Sequence, residues 1–208
     1  MQQWNEVYKK EGKVFEKMQE NIPEISSLFR KNKVKRILDL GCGYGRHIVY
    51  FAKHGFDVYG IDIAQEGLKI AGSWLKKENL KVHLKHASIY KKLPYPDDFF
   101  DTVVSIRVIH HSEIKEVRKT IKEIERVLKP NGLIFITVPK SHKTTRFKTI
   151  APRTYVPIEG REKGLAHYLF NKTLIKKEFR DFRICKIWID FHRQYCFIGE
   201  LKSRIKKA

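Results

Sequence analysis

The sequence has few cysteines and no long apolar run. Its three cysteines, Cys42, Cys185 and Cys196, are far apart and show no C-x-x-C spacing, so neither a disulfide framework nor a zinc site is indicated. We interpret them as reduced thiols that mostly pack. No stretch reaches the roughly 18 consecutive apolar residues of a membrane span, and the first residues do not resemble a signal peptide. We therefore expect a cytoplasmic protein without a membrane partner.

Acidic residues are also scarce. The chain has 43 Lys and Arg against 23 Asp and Glu, a formal net charge of +20. This excess predicts attraction to anionic partners such as RNA, acidic metabolites or phosphates. The lysines lie in separate segments and need not share a face, so the alternative is that they decorate solvated surfaces.

No internal repeat or low-complexity segment is present, and 208 residues with 42% hydrophobic content are enough for one core. We predict a single domain, 1–208. From about Lys35 to Pro139, short β-rich runs alternate with amphipathic helices, which predicts an α/β fold: a Rossmann-like, doubly wound, mostly parallel sheet. Strands are predicted over Arg36–Leu40, Asp57–Ile61, Lys81–His86, Thr102–Ile106 and Leu133–Val138, and the clearest helix over Glu113–Leu128.

Three segments flank this core of residues 33–140. Residues 1–32 are predicted as a helical lid, with a helix or lid from Trp4 to Gln19 that is anchored by Trp4, Tyr8 and Phe15 and ends near Pro23. Residues 141–170 have no sustained period but are rich in aromatics, which predicts an irregular, ordered substrate cap. Residues 171–208 are predicted as a short helix near Lys172–Phe179 and a C-terminal antiparallel hairpin of Arg183–Phe191 and Gln194–Leu201.

A glycine loop, Asp39-Leu40-Gly41-Cys42-Gly43-Tyr44-Gly45, joins the first strand to a helix. Glycines there let backbone N–H groups and a helix N-terminus face a bound ligand closely. The spacing is G-x-G-x-G, with Arg46 where a dinucleotide binder has its third glycine. The loop therefore predicts a nucleotide cofactor other than NAD.

The stretch from Ile37 to Gly45 resembles the first motif of class I S-adenosylmethionine-dependent methyltransferases, and the resemblance extends over roughly Lys33 to Val138. It implies that Gly41, Cys42, Gly43 and Gly45 surround the methionine part of S-adenosylmethionine, whose product is S-adenosylhomocysteine. It also implies that Asp39 contacts the cofactor's amino group. An acid is suited to a ligand that carries a sulfonium and an ammonium.

A second acid, Asp62, follows the next strand, roughly 20 residues beyond the loop, where an acid can accept both ribose hydroxyls. The resemblance implies the same role and places Ile63 beside adenine. The alternative is that Asp62 caps the helix that starts near Gln65. The family's third motif is changed here, because residues 86–90 contain no acid. Ser88 is expected to substitute for that acid, and the backbone N–H of Ile89 to reach the adenine ring.

The segment after the fourth strand, Arg107-Val108-Ile109-His110-His111, is expected to face the reactive methyl group. Arg107 is assigned to the cofactor pocket, and His110 and His111 are the candidate catalytic residues, one of them as a base or hydrogen-bond partner. The alternative is that both are structural. No metal is predicted, because no acid or cysteine stands beside the pair and the separate His142, His167 and His192 would have to converge.

The acceptor is expected to bind between the lid and the cap, at Trp4, Tyr8, Arg153, Tyr155 and His167. Cations and aromatics suit a small polar or anionic molecule, although a loop packed by its tyrosines is the alternative. We therefore predict a methyltransferase that acts by in-line displacement. The alternatives are an RNA (tRNA) methyltransferase, without a visible RNA-binding module, and a non-catalytic cofactor-binding subunit. The acceptor atom and the oligomeric state stay open.

Overall fold

A computed structural model describes residues 3–14, 17–142 and 144–203. The predicted anchor Phe15 and the basic residues after Ser203 lie outside these ranges. The elements, in chain order, are α1 (Gln3–Glu11), α2 (Ile22–Lys31), β1 (Arg36–Leu40), α3 (Arg46–Lys53), β2 (Asp57–Asp62), α4 (Gln65–Lys77), β3 (His83–His86), β4 (Phe100–Ile106), α5 (Ile114–Val127), β5 (Leu128–Pro139), β6 (Phe147–Ala151), β7 (Thr154–Pro157), β8 (His167–Tyr168), α6 (Lys172–Glu178), β9 (Phe182–Ile189) and β10 (Gln194–Leu201).

A seven-stranded sheet in the order β3-β2-β1-β4-β5-β10-β9 forms the centre of the molecule. The first five strands in this order, β3, β2, β1, β4 and β5, are parallel, whereas β10 runs antiparallel to both β5 and β9. This confirms the predicted α/β class and the C-terminal antiparallel hairpin. In this order β1 and β4 are adjacent, and the loops that follow them at their carboxyl ends open one crevice, the usual ligand position in doubly wound sheets.

Helices cover both faces of the sheet. One apolar cluster joins Leu38 and Val103 to the stripe of α5 and to α6, and the other joins Ile37 and Val104 to α2, α3 and α4. Successive residues of a strand point to opposite faces, so the neighbours Ile37 and Leu38 belong to different clusters. The central strands β1 and β4 are therefore buried on both faces.

The N-terminal segment differs from its prediction. The first helix ends at Glu11, far short of Gln19, and Gly12 follows with a φ of 65°. Pro23 does not end this helix but lies in the first turn of α2, where its missing N–H costs nothing. Ile22, Ile25 and Phe29 of α2 are buried in the core. The predicted lid of residues 1–32 therefore divides into α1, which lies over the site, and a core helix.

The cap was predicted as irregular, and that prediction is wrong. Residues 147–168 form a second, three-stranded antiparallel sheet in the order β6-β7-β8. Its strands are four or five residues long and β8 has only two, which is too short to give a readable hydrophobic period. Tyr168 N–H donates to the carbonyl of His110 (2.9 Å) and so docks the cap on the core.

Within the described residues, no helix has both the length and the apolar character needed to cross a membrane.

Candidate active site

The glycine loop leaves β1 and is tied to the neighbouring strand. The N–H groups of Gly41 and Cys42 both donate to the carbonyl of Ile61, at 2.8 and 3.0 Å. Gly45 then precedes α3 with a φ of 97°, a left-handed conformation that favours glycine. The loop is thereby held open at the carboxyl edge of the sheet, with the N-terminus of α3 directed toward the crevice.

Two positions in the loop have no room for a side chain. A Cβ on Gly41 would lie 2.5 Å from the Val108 side chain, and one on Gly43 would lie 2.5 Å from the Tyr8 hydroxyl. Both residues also have positive φ, 78° and 56°. The backbone is therefore exposed to close approach from α1 on one side and from the segment after β4 on the other.

Asp62 supports the loop from the end of β2. One carboxylate oxygen accepts from Gly43 N–H at 2.8 Å and the other from Ala64 N–H at 2.7 Å. Burial raises the pKa of this carboxyl, while the hydrogen bonds from the backbone at Ala64, Gly43 and Ile63 lower it. The residue that precedes α4 is Ala64, so Asp62 lies outside the helix and braces the loop and the start of α4 together.

Asp39 is 1% exposed, within β1. One of its carboxylate oxygens, Oδ2, has no hydrogen-bond partner among the described residues. The net pKa of Asp39 is raised to about 7. Burial raises this pKa most, the nearby Arg46 cation lowers it, and the Asp62 carboxylate raises it. Asp39 does not itself line the pocket surface, which is formed in front of it by Gly41, Cys42 and Gly43.

The pocket extends from β2 and β3 to the N-terminal helix. At one end lie Ile63, Ser88 and Ile89, where the Ser88 hydroxyl accepts from Tyr90 N–H at 3.2 Å. Tyr8 of α1 lies over the glycine loop, with its hydroxyl against Gly43, and Trp4 of α1 lies beside His111. The lining is completed by Gln3, Gly41, Cys42, Gly43, Tyr44, Arg46, His47, Asp62, Tyr90, Ile106, Arg107, Val108, Glu162 and Leu165.

The helix α1 and the cap meet above this pocket. Arg161 of the cap pairs with Glu11 of α1 at 2.6 Å, and the Gln3 side-chain amide donates to the Arg161 carbonyl. Trp4 stacks on His111 with ring centroids 6.1 Å apart. Two segments that are far apart in sequence therefore share one roof.

Arg153 and Tyr155 do not reach the pocket, contrary to their assignment as acceptor-binding residues. Arg153 occupies the turn between β6 and β7 with a φ of 60°, and its Nε donates to the Leu169 carbonyl at 2.6 Å. Tyr155 is 1% exposed and stacks on His167, with centroids 4.9 Å apart. Both side chains are used to build the cap.

The structure brings His167 to the histidine pair. The ligating ring nitrogens of His110, His111 and His167 lie within 4.8 Å of one another. Of these residues only His111 lines the pocket, whereas His110 and His167 are fully buried. The sequence predicted no metal because the separate histidines would have to converge. For His167 they do: β8, which contains it, pairs with β7, and its ring lies beside those of His110 and His111.

Several pocket residues were not predicted from the sequence. Arg46 was considered only as an obstacle to NAD, and Glu162 was one charge among many in the cap. The Nε2 atoms of His111 and His167 lie 3.6 and 3.7 Å from the Glu162 carboxylate. No local pattern signals this contact, because it depends on how the cap folds back over β4.

Comparison with known proteins agrees with this geometry. A family model described as a methyltransferase domain matches residues 38–136. A ubiquinone biosynthesis O-methyltransferase of Rickettsia akari is 31% identical over 117 residues, which are 56% of this chain and 45% of that protein. The chain spans about half the length of the curated relatives it matches.

Two solved structures share the fold. The PH0226 protein of Pyrococcus horikoshii superposes with a TM-score of 0.74 at 24% identity, covering 95% of this chain and 99% of that one. A Burkholderia thailandensis 1,6-didemethyltoxoflavin-N1-methyltransferase, solved with 1,6-didemethyltoxoflavin and S-adenosylhomocysteine, superposes with a TM-score of 0.74 at 15% identity, covering 95% and 85%. Residues 38–136 therefore match a methyltransferase domain, and the chain as a whole shares the fold of these two structures.

Proposed function

We propose that this protein transfers a methyl group from S-adenosylmethionine to a small polar or anionic acceptor. The observation that carries the proposal is one continuous pocket. It runs from the glycine loop and Asp62, past His111, to a roof that α1 and the cap build together.

The residues at the loop fit the cofactor. The buried Asp39 oxygen without a partner among the described residues suits an ammonium group, and the nearby Arg46 cation suits a carboxylate, so the two together match an α-amino acid zwitterion. Gly41 and Gly43 line the pocket with backbone alone, because Val108 and Tyr8 occupy the space that a side chain would need. When bound, the cofactor supplies an electrophilic methyl group.

Asp62 is proposed to accept from the ribose hydroxyls. Its two oxygens already accept from Gly43 and Ala64, but a carboxylate has about four lone-pair sites, which leaves capacity for a ribose. Ile63, Ser88 and Ile89 then form the end of the pocket that receives adenine. These roles make the carboxylate both a brace for the loop and a ligand for the sugar.

The other end of the pocket favours a small acceptor. It is lined by Trp4, His111, Glu162 and Leu165, and a concave, mostly apolar site with a few polar groups suits a metabolite better than a nucleic acid. We assign His111, and not the fully buried His110, as the residue that faces the acceptor. Methyl transfer mainly requires that a nucleophile be held in line with the methyl group, and the roof provides that restraint.

The test is an acceptor survey that measures S-adenosylhomocysteine. Purified protein is incubated with S-adenosylmethionine and either a panel of small hydroxylated, amino and carboxylated metabolites or bulk tRNA. We expect product with a member of the metabolite panel and none with tRNA. Methylated tRNA would overturn the acceptor class and support the role suggested by the +20 charge.

A further inference from the structure

We propose that His110, His111, His167 and Glu162 bind a divalent first-row transition-metal ion at the acceptor end of the pocket, with zinc as the best fit. The ion would take an oxygen or sulfur donor of the acceptor as a fifth ligand, since zinc can expand from four ligands to five. The role toward the acceptor rests on the proposed function, whereas the metal site itself rests on the geometry of this cluster.

The four groups converge from two parts of the chain. His110 and His111 follow β4, while Glu162 and His167 belong to the cap. The ring centroids of His111 lie 4.2 Å from those of His110 and 4.8 Å from those of His167. Glu162 lies within 3.7 Å of both His111 and His167 and closes the set on the pocket side.

The distances are close to those of a filled site. The three histidine nitrogens lie within 4.8 Å of one another, and a tetrahedral site with Zn–N bonds of about 2.1 Å separates its ligand atoms by about 3.4 Å. A displacement of the ring nitrogens by about an ångström would therefore bring them to the separations of a filled zinc site. Three imidazoles with one carboxylate are borderline donors, which suit zinc and its neighbours and not magnesium or calcium.

Burial and packing set the ring positions before any ion arrives. His110 and His167 are fully buried, the His111 side chain is 9% exposed and the Glu162 side chain 16%. Tyr155 stacks on His167 and Trp4 stacks on His111. Rings held in this way lose little freedom on binding an ion, and rigid placement of ligands is what a metal site requires.

Access to the ion would be from the methyl-transfer side. His111 and Glu162 both line the pocket that holds the glycine loop, whereas His110 and His167 lie behind them. An ion held by this cluster would therefore face the acceptor. We infer that the acceptor belongs to the molecules with a hydroxyl, carboxylate or thiol that ligates such an ion.

The experiment titrates metal-free full-length protein with Zn²⁺ and, separately, with Co²⁺. We expect one equivalent of each to bind, with Co²⁺ giving visible d–d absorption. His167→Gln and Glu162→Gln should each weaken Zn²⁺ binding by more than about 100-fold, since even partners outside the ligand set change affinity 10- to 100-fold. His142→Gln, a histidine of the same cap outside the cluster, should bind like the parent protein.

Cofactor binding separates the two proposals. Each variant is first shown to be folded by thermal melting. Its affinity for S-adenosylmethionine is measured separately, since Asp62 and the glycine loop, which are proposed to hold that cofactor, lie outside the metal cluster. Failure of the parent protein to bind Zn²⁺ or Co²⁺, or equal affinity in His142→Gln and His167→Gln, would overturn the metal site. Metal binding without cofactor binding would instead overturn the proposed methyl transfer.

Discussion

At the scale of single residues, Asp62 carries the most specific role. It accepts from Gly43 and Ala64 while it lines the pocket, so its replacement removes a support of the loop together with the proposed ligand of the ribose. Asp62→Ala should weaken S-adenosylmethionine binding by about 1.5 to 3 kcal/mol, or about 10- to 150-fold, the range for a hydrogen bond to a charged group. Isothermal titration measures this change.

Asp57 offers a matched control for that substitution. It is the first residue of the same strand, and its carboxylate pairs with Arg36 at 3.0 Å. The Asp57 side chain is 39% exposed and the Arg36 side chain 32%. Partly exposed pairs of this kind contribute about 1 kcal/mol or less, so Asp57→Ala should leave cofactor affinity unchanged. Equal losses in the two variants would mean that Asp62 acts only on the stability of β2.

Asp39 should make cofactor binding dependent on pH. Burial raises its pKa to about 7 in the unliganded protein, so the carboxyl is mostly protonated at pH 6 and mostly ionised at pH 8. A bound ammonium favours the ionised form and lowers this pKa. The contribution of Asp39 to cofactor affinity should therefore rise about tenfold from pH 6 to pH 8. At pH 6, binding of the cofactor should release most of one proton from Asp39.

Calorimetry in buffers of different ionisation enthalpy measures that proton release directly. Asp39→Asn removes the titrating group, so its affinity should be weaker and its pH dependence should be that of the ligand alone. A parent protein and an Asp39→Asn variant with the same pH profile would refute a contact between Asp39 and the cofactor's amino group.

At the scale of elements, helix α4 contains two glycines in opposite situations. A Cβ on Gly67 would lie 2.9 Å from the Tyr8 ring and 3.2 Å from the Gly43 backbone, whereas one on Gly72 would meet nothing closer than 3.9 Å. Gly72→Ala should stabilise the protein by about 0.5 to 1 kcal/mol, because alanine is favoured inside a helix. Gly67→Ala has the same helix preference but must displace α1 from the loop.

Thermal melting and cofactor titration of both variants test this packing. Gly72→Ala should melt higher and bind the cofactor normally, whereas Gly67→Ala should bind it more weakly without a comparable rise in melting temperature. If Gly67→Ala behaved like Gly72→Ala, α1 would not be seated on the glycine loop as described.

The elements also show where sequence patterns were sufficient. The strands β1 to β5 and the stripe of α5 were predicted within a few residues, because short apolar runs bounded by turn residues indicate buried strands and an amphipathic helix has a clear period. The cap sheet was missed because its strands are too short to show a period. Pro23 was assigned to the end of a helix because proline favours a first turn as well as a stop.

The site shows the same division. The positions of the loop and of Asp62 at the pocket were predictable, since they depend on local spacing after a strand. Glu162 and the convergence of His167 with His110 and His111 were not, because they depend on the cap folding back over β4. Arg153 and Tyr155 were assigned to the acceptor from composition, which does not tell a side chain that faces a pocket from one that packs behind it.

At the scale of the whole molecule, the crevice between the loops after β1 and β4 and the roof from α1 and the cap together define one roofed pocket. The net charge of +20 acts over the surface and raises the local concentration of anions. It therefore suits an anionic acceptor that enters this pocket as well as it suits a polyanion.

The central claim is that this pocket binds S-adenosylmethionine. The most direct measurement is a calorimetric titration of the folded, full-length protein with that cofactor at pH 8, where Asp39 is ionised. We predict saturable binding with one site per chain, weakened by Asp62→Ala and unchanged by Asp57→Ala. The absence of binding by protein shown to be folded would contradict the account.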